Sequence, residues 1–154
     1  MQTIKNLFPK IYDFENLLEA YKAAIKSKRY RPDVMEYADK LEENLFDLQN
    51  NLIWGLYEVG HYHMFYVYEP KKRLIMSLQF KDRVAQHAIY RQLNPLIEKQ
   101  YIKDSYACRV GYGTHAAIDR LQGWMRQTER KPEKYYYLKL DVSKYFYRID
   151  HEIL

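Results

Sequence analysis

The spacing of apolar residues changes from a helical period to a period of two along this chain, and that change limits the folds open to it. Residues 13–28 and 33–54 repeat apolar positions at intervals of three and four, which predicts two amphipathic helices. Residues 61–69 are aromatic and β-branched, and residues 73–78 follow a Pro-Lys-Lys turn, which predicts a β-hairpin. This order argues against both an all-helical bundle and an all-β sandwich.

The second half of the chain returns to a helical pattern and then to one more strand. Residues 80–94 predict a helix that Pro95 ends or kinks, because proline lacks the backbone N–H that a helix interior needs. Thr114 is expected to cap a helix over residues 115–128. Residues 135–141 are apolar and aromatic, which predicts a buried strand. The element order is that of an α+β protein.

The charge of the chain is concentrated in its middle. The chain has 154 residues, enough for one hydrophobic core, and a formal net charge of +5. Residues 1–70 hold 8 Lys and Arg against 11 Asp and Glu, whereas residues 71–131 hold 13 against 5. Such a basic block can neutralise phosphates and release counterions. A solvated basic face without a partner is an equally good interpretation of the charge alone.

Several classes of protein are disfavoured by what the sequence lacks. No run of about 18 apolar residues occurs, so no membrane span is expected. The first residues lack the apolar segment of a secretory signal, and one cysteine cannot form an internal disulfide framework. We therefore expect a cytoplasmic protein that has no membrane partner.

Three segments of the chain carry a more specific pattern, and they occur in a fixed order. Residues 70–89 read PKKRLIMSLQFKDRVAQHAI, residues 104–122 read DSYACRVGYGTHAAIDRLQ, and residues 137–154 read YLKLDVSKYFYRIDHEIL. Together they resemble the N-terminal half of a bacterial reverse transcriptase, an RNA-directed DNA polymerase. The nearest group is the polymerases of diversity-generating retroelements, with group II intron and retron enzymes as wider relatives.

The resemblance implies a fold and a division of the chain. The fold is the right-hand polymerase fold, of which this α+β chain would supply the reverse-transcriptase fingers and the first strand of the palm. Residues 1–56 would form an N-terminal helical region, and residues 57–154 would form the fingers and the start of an incomplete palm.

The third segment would supply part of the catalytic centre. The resemblance implies that Asp141 bridges two Mg²⁺ ions and that the carbonyl of Val142 adds a ligand. Two such ions clamp the attacking 3′-oxygen and the leaving pyrophosphate. The backbone amides of Ser143, Lys144 and Tyr145 would face the triphosphate, as backbone anion nests do.

Two further residues of this segment have roles that the resemblance defines. Phe146 would lie under the sugar of the incoming nucleotide and exclude a 2′-hydroxyl. Asp150 would cap a helix and would not bind metal. Taken without the other segments, Asp141 and Phe146 would be interpreted as a strand-end aspartate that caps a turn and a core aromatic.

The first segment resembles the fingers hairpin that reaches over the incoming nucleotide. Arg73 matches the family's arginine best, and its guanidinium can hold phosphate through two parallel hydrogen bonds. Lys71 or Lys72 would assist it, and the sequence does not choose between them. Arg83 would reach the template, although an ion pair between Asp82 and Arg83 is an equally good interpretation.

The second segment resembles the template side of the fingers. Arg109 corresponds to the arginine of that motif, and Gly111 would permit a tight turn or a close approach of the backbone to the template. A plain surface loop is the simpler alternative for the glycine.

The function that follows from the resemblance is template-directed transfer of deoxynucleotides to a 3′-hydroxyl. The expected partners are an RNA template, a DNA primer, deoxynucleoside triphosphates and an accessory protein of the retroelement. The family's later Tyr-x-Asp-Asp motif does not occur in these residues, so we expect a fragment that is inactive as a polymerase by itself. The alternatives are a non-catalytic RNA-binding fingers module that uses residues 71–131, and an inactive gene remnant.

Overall fold

The computed structural model describes residues 5–150 and 152–153, and it combines helices with a small antiparallel sheet. The chain divides into two compact units, Met1–Tyr101 and Ile102–Leu154. In the described part, no helix is both long enough and apolar enough to cross a membrane. The combination of helices with an antiparallel sheet confirms the α+β class. The predicted domain boundary between residues 56 and 57 stays a prediction.

The first unit contains five helices and two strands within the described residues. They are α1 (Phe8–Tyr12), α2 (Phe14–Ala24), α3 (Pro32–Asp39), α4 (Leu41–Ile53), β1 (His63–Val67), β2 (Arg73–Ser77) and α5 (Phe80–Glu98). The second unit contains α6 (Thr114–Glu129) and one turn of 3₁₀ helix at Tyr145–Arg148.

Helix α2 begins where the sequence predicts. The Asp13 carboxylate accepts hydrogen bonds from the backbone N–H groups of Glu15 and Asn16, at 3.1 and 3.2 Å. These bonds satisfy two of the amides that a helix leaves unpaired in its first turn. The helix buries Leu17 and Ala20 completely, so the predicted apolar face is the face that enters the core.

The single helix predicted over residues 33–54 is wrong, because the chain breaks at Lys40. Lys40 has φ −124° and ψ 42°, which is outside the helical region. Across the break, the Asn44 side chain donates a hydrogen bond to the carbonyl of Tyr37 at 2.9 Å. The break lets α3 and α4 bury separate faces, Val34 and Tyr37 from α3 and Leu45 from α4.

The predicted β-hairpin is present. Strands β1 and β2 are antiparallel, and Phe65 lies opposite Ile75 in the register. Because side chains alternate along a strand, this pair shares a face with His63 and Ser77, while Tyr66 points to the other face.

The core of the first unit lies between α2, α4 and α5. Three aromatic rings meet there: the centroid of Phe80 is 5.1 Å from that of Tyr37 and 6.2 Å from that of Tyr21. Burial raises the pKa of Tyr37 to about 12, so its hydroxyl stays neutral. Helix α5 continues through Pro95 to Glu98, so of the two predicted outcomes, an end or a kink, the end is wrong.

Two predictions about the second unit are wrong. Helix α6 starts at Thr114, and Gly113 occupies the capping position with no side-chain hydrogen bond, so Thr114 is not the cap. Residues 135–141 form no strand and are exposed rather than buried. A strand needs a neighbour to pair its backbone, and the pairing found within the described residues is β1 with β2.

The helix predicted after Asp150 is only partly within the described residues. The Asp150 carboxylate accepts a hydrogen bond from the Glu152 N–H at 2.9 Å, which is the bond that a cap makes. Residues 152–153 form a turn, and residues 151 and 154 lie outside the described residues.

Candidate nucleic-acid interface

A groove of about 800 Å³ crosses the first unit between the turn that joins α2 to α3, the hairpin and α5. Its walls carry three permanent cations, which are Lys28 and Arg31 from the turn and Arg83 from α5. Within the described residues, no carboxylate lines this groove. The groove is therefore suited to an anionic ligand.

The floor of the groove is apolar and partly aromatic. Phe65 and Ile75 contribute the hairpin face described above, and Ala24 and Leu78 extend it. Tyr90 of α5 lines the groove with half of its surface exposed, so its ring is accessible to a ligand. A basic wall beside exposed aromatic rings is the combination that proteins use to hold single-stranded nucleic acid.

The environment of the groove lowers the pKa of a histidine in its wall, His87. Burial lowers the pKa of His87, and the ammonium of Lys28 lowers it further. The positive field that disfavours a second cation at His87 would favour a phosphate in the same place. Arg83 is held in the wall because its guanidinium donates to the Ser77 hydroxyl.

A second groove of about 790 Å³ adjoins the first and shares Arg31, Phe65 and Arg83 with it. Lys40 and Lys81 add positive charge there, while two acidic residues of α3 also line it. The shared residues place the two depressions side by side along the hairpin.

The two residues predicted at the fingers triphosphate site lie on different faces of the hairpin. The Lys72 ammonium lies over two tyrosine rings, 4.4 Å from the centroid of Tyr66 and 5.9 Å from that of Tyr68. Arg73 lies opposite Val67 in the register, and so belongs to the face of Phe65. The structure therefore does not bring Lys72 and Arg73 together.

Asp82 is almost completely buried and has its own partners. Its carboxylate accepts hydrogen bonds from the Tyr57 hydroxyl at 2.7 Å and from the Gly60 N–H at 3.1 Å. Arg83 bonds to Ser77 instead, so the alternative of an Asp82–Arg83 ion pair is wrong. This leaves the Arg83 guanidinium in the wall of the groove, and its contact with a template stays a prediction.

In the second unit, Arg109 orders its own loop. Its Nη1 donates to the carbonyls of Ser105 at 2.9 Å and Ile102 at 3.3 Å, and its guanidinium lies 3.9 Å from the centroid of the Tyr112 ring. Gly111 has φ +80°, a left-handed conformation that glycine adopts without strain. The tight turn expected at Gly111 is present.

A polar cluster that the sequence pattern did not indicate lies beside this loop. The Asp104 carboxylate accepts from Arg120 Nε at 2.9 Å and from the Tyr106 hydroxyl at 3.0 Å. The hydrogen bond from Arg120 lowers the pKa of Asp104. Arg120 also lies 5.0 Å from the ring centroid of Trp124. The cluster ties the loop to α6.

The residues predicted at the catalytic centre are close together in sequence and exposed. Asp141, Val142, Ser143 and Phe146 are all solvent-exposed in this unit. Lys144 has a left-handed backbone with φ 53° and ψ 39°, which is one half of the backbone pattern of an anion nest. The rings of Tyr145 and Phe146 meet edge to face at 5.2 Å.

These residues do not by themselves fit two Mg²⁺ ions. Within residues 5–150 and 152–153, no group of three or more His, Cys, Asp or Glu side chains could hold a metal ion. Asp141 and the Val142 carbonyl would be one part of such a site, and two magnesium ions require further oxygen ligands.

Lys28 and Arg31 were not identified from the sequence, because the summed charge of residues 1–70 is negative and does not reveal local clusters of basic residues. Four cations fall within six residues between α2 and α3, and this cluster is the signal that would have identified them: Lys26, Lys28, Arg29 and Arg31.

No protein-family model matches this chain, and no curated protein matches it.

Proposed function

We propose that this chain is the fingers and the beginning of the palm of an RNA-directed DNA polymerase of the bacterial reverse-transcriptase type. The reaction of the complete enzyme would be template-directed transfer of deoxynucleotides to a 3′-hydroxyl. Its partners would be an RNA template, a DNA primer and deoxynucleoside triphosphates, with an accessory protein of the retroelement as a further partner. The order of the three segments supports this proposal.

The observation that carries the nucleic-acid part of the proposal is the groove of the first unit. Cationic side chains line it beside exposed aromatic rings, with no carboxylate among its described lining residues. A phosphodiester chain can pair with Lys28, Arg31 and Arg83 while its bases contact Phe65 and Tyr90. This arrangement suits a single strand, because the bases of a duplex are stacked inside it.

The remaining predicted residues would act around the incoming nucleotide. Arg73 would hold the triphosphate with Lys71 as the assisting cation, because Lys72 lies on the other face of the hairpin. The resemblance gives the amides of residues 143–145 a triphosphate contact as well. Asp141 and Val142 would contribute to the Mg²⁺ site of the complete enzyme, and Phe146 would select against a 2′-hydroxyl. Arg109 and Gly111 would shape the template side of the fingers.

A non-catalytic RNA-binding module is the second candidate, and one observation favours it. Asp141 belongs to no group of metal-binding side chains within the described residues. A chain that binds RNA through the groove and has no polymerase chemistry of its own would be consistent with that observation. Both candidates predict RNA binding, and they differ in what a longer protein that contains this chain would do.

Binding of a labelled single-stranded RNA at increasing salt tests what both candidates share. We expect affinity to fall steeply with salt, and the double variant Lys28→Gln/Arg31→Gln to lower the slope by about 0.7 for each phosphate that is no longer neutralised. The double variant Lys10→Gln/Lys99→Gln removes two exposed charges outside the groove and is the matched control. Equal slopes for the groove and control variants would contradict the proposed interface.

Primer extension on an RNA template separates the two candidates. We expect no extension by the 154-residue chain, since one carboxylate cannot hold two magnesium ions. A longer protein that contains this chain and the family's later carboxylates should extend the primer, and Asp141→Ala should abolish extension. Robust extension by the Asp141→Ala protein would exclude Asp141 from the catalytic centre, and no extension by the longer parent protein would exclude the polymerase assignment.

A further inference from the structure

The face of the hairpin opposite to that of Phe65 and Ile75 carries exposed aromatic and sulfur-containing side chains. Tyr66 and Tyr68 are 52% and 66% exposed, and Met64, Leu74 and Met76 beside them are about half exposed. The register places Met64 opposite Met76 and Tyr66 opposite Leu74, so these side chains share one surface. We call this surface, with Lys72, the outer face of the hairpin.

The two tyrosine rings of the outer face are arranged as neighbours. Their centroids are 6.4 Å apart with an angle of 43° between the ring planes, so they do not stack on each other. Each ring can therefore offer a π-face to a ligand. Aromatic rings exposed on a β-sheet surface are the means by which small RNA-binding domains stack two or three bases.

A cation lies directly at these rings. The Lys72 ammonium is 4.4 Å from the Tyr66 centroid and 5.9 Å from the Tyr68 centroid, within cation–π range of both. A base that stacks on a ring can displace the ammonium, which then pairs with the phosphate that links the two nucleotides. Lys71 precedes it in the exposed turn and adds a second positive charge.

We propose that the outer face of the hairpin is a stacking platform for single-stranded nucleic acid, with Tyr66 and Tyr68 as the ring contacts and Lys72 as the phosphate contact. The platform would tolerate any sequence, because every base has a π-face. It goes beyond the proposed polymerase function, and it assigns Lys72 to the bound strand, which leaves Lys71 as the candidate beside Arg73 at the triphosphate.

Fluorescence anisotropy with a labelled oligouridine, measured on the full chain, tests the platform. We expect Tyr66→Ala and Tyr68→Ala each to weaken binding by about fivefold or more, which is the lower end of the range for loss of one stacked base. Tyr66→Phe and Tyr68→Phe retain the rings and should bind within about twofold of the parent chain. Tyr136→Ala removes a tyrosine that is 90% exposed elsewhere and should have no effect.

A duplex RNA of the same length provides the second arm, since its bases are already stacked inside the helix. We expect the two tyrosine-to-alanine variants to bind the duplex as the parent chain does. Equal losses for the single strand and the duplex, or no loss for either, would overturn the platform.

Tyr66 and Tyr68 do not line the groove, although Met76 does, so failures of the platform and of the groove can be told apart. If Tyr66→Ala and Tyr68→Ala bind like the parent while Lys28→Gln/Arg31→Gln weakens binding, the platform is wrong and the groove stands. If the parent chain binds no single strand, both are wrong.

Discussion

The hydroxyl of Tyr57 donates a 2.7 Å hydrogen bond to Oδ1 of Asp82, and this bond fastens the segment before β1 to the first turn of α5. The other carboxylate oxygen accepts the Gly60 N–H at 3.1 Å, so both oxygens of a 1% exposed side chain have partners. Burial and the bond to Asp82 raise the pKa of Tyr57. The entry of the chain into the hairpin is fixed by this contact.

Removing the hydroxyl should therefore destabilise the first unit. Tyr57→Phe leaves Oδ1 of Asp82 buried without its donor, and we expect a loss of about 1 to 3 kcal/mol in the free energy of unfolding. Urea unfolding followed by circular dichroism gives this value. Tyr136→Phe removes a hydroxyl from an exposed ring and should change stability by less than about 0.5 kcal/mol. Equal stability of both variants would show that the bond contributes nothing.

The sequence predicts those elements whose signals are local. The α2 helix has its Asp13 cap, and the hairpin has a period of two on either side of a turn. The break at Lys40 was not predictable from periodicity, because apolar spacing continues across it. The strand expected over residues 135–141 depends on pairing partners, and a single sequence segment cannot show whether they are present.

In the candidate site, too, the residues that a local motif indicates were predicted, and those that the tertiary fold brings to the groove were not. Arg83, which the resemblance marks as a template contact, lines the groove because its motif lies on helix α5, and the template contact itself stays a prediction. Lys28 and Arg31 reach the groove only through the turn between α2 and α3, which no sequence pattern places beside β2. Arg109 donates to backbone carbonyls of its own loop, and residue types carry no signal for such contacts.

The Asn16 side chain joins α2 to α5, and replacing it should be costly. Its Nδ2 donates to the carbonyls of Ile11 at 3.0 Å and Ala88 at 3.1 Å, and its Oδ1 accepts from Gln92 at 2.8 Å. Asn16→Ala removes these bonds from a buried site, and we expect a loss of about 2 to 4 kcal/mol in urea unfolding.

Asn50→Ala provides the matched control for Asn16→Ala, because Asn50 is an exposed residue of α4. We expect it to change stability by less than about 0.5 kcal/mol. If Asn16→Ala is no more harmful than Asn50→Ala, the bonds of Asn16 do not hold α2 and α5 together.

The lowered pKa of His87 predicts how stability depends on pH. Burial and Lys28 hold this pKa below that of the unfolded chain, so the unfolded state binds the proton more readily. The free energy of unfolding should therefore fall as pH drops from about 7.5 to about 5.5, through the ordinary pKa of histidine. His87→Gln should flatten the profile in this window. An unchanged profile would exclude His87 as its source.

Because Arg120 donates a hydrogen bond to Asp104, we expect Arg120→Gln to change the Asp104 pKa and the amide exchange of the second unit. Arg120→Gln removes the donor that lowers the Asp104 pKa, so that pKa should rise toward its ordinary value in a carboxyl NMR titration. The loop that contains Arg109 should also exchange its amide hydrogens faster, since its tie to α6 is removed. Arg126→Gln is the control, because it removes a positive charge from the same helix and leaves the hydrogen bond between Arg120 and Asp104 in place. If the two variants move the Asp104 pKa equally, the shift comes from the net charge of α6 and not from the bond to Arg120.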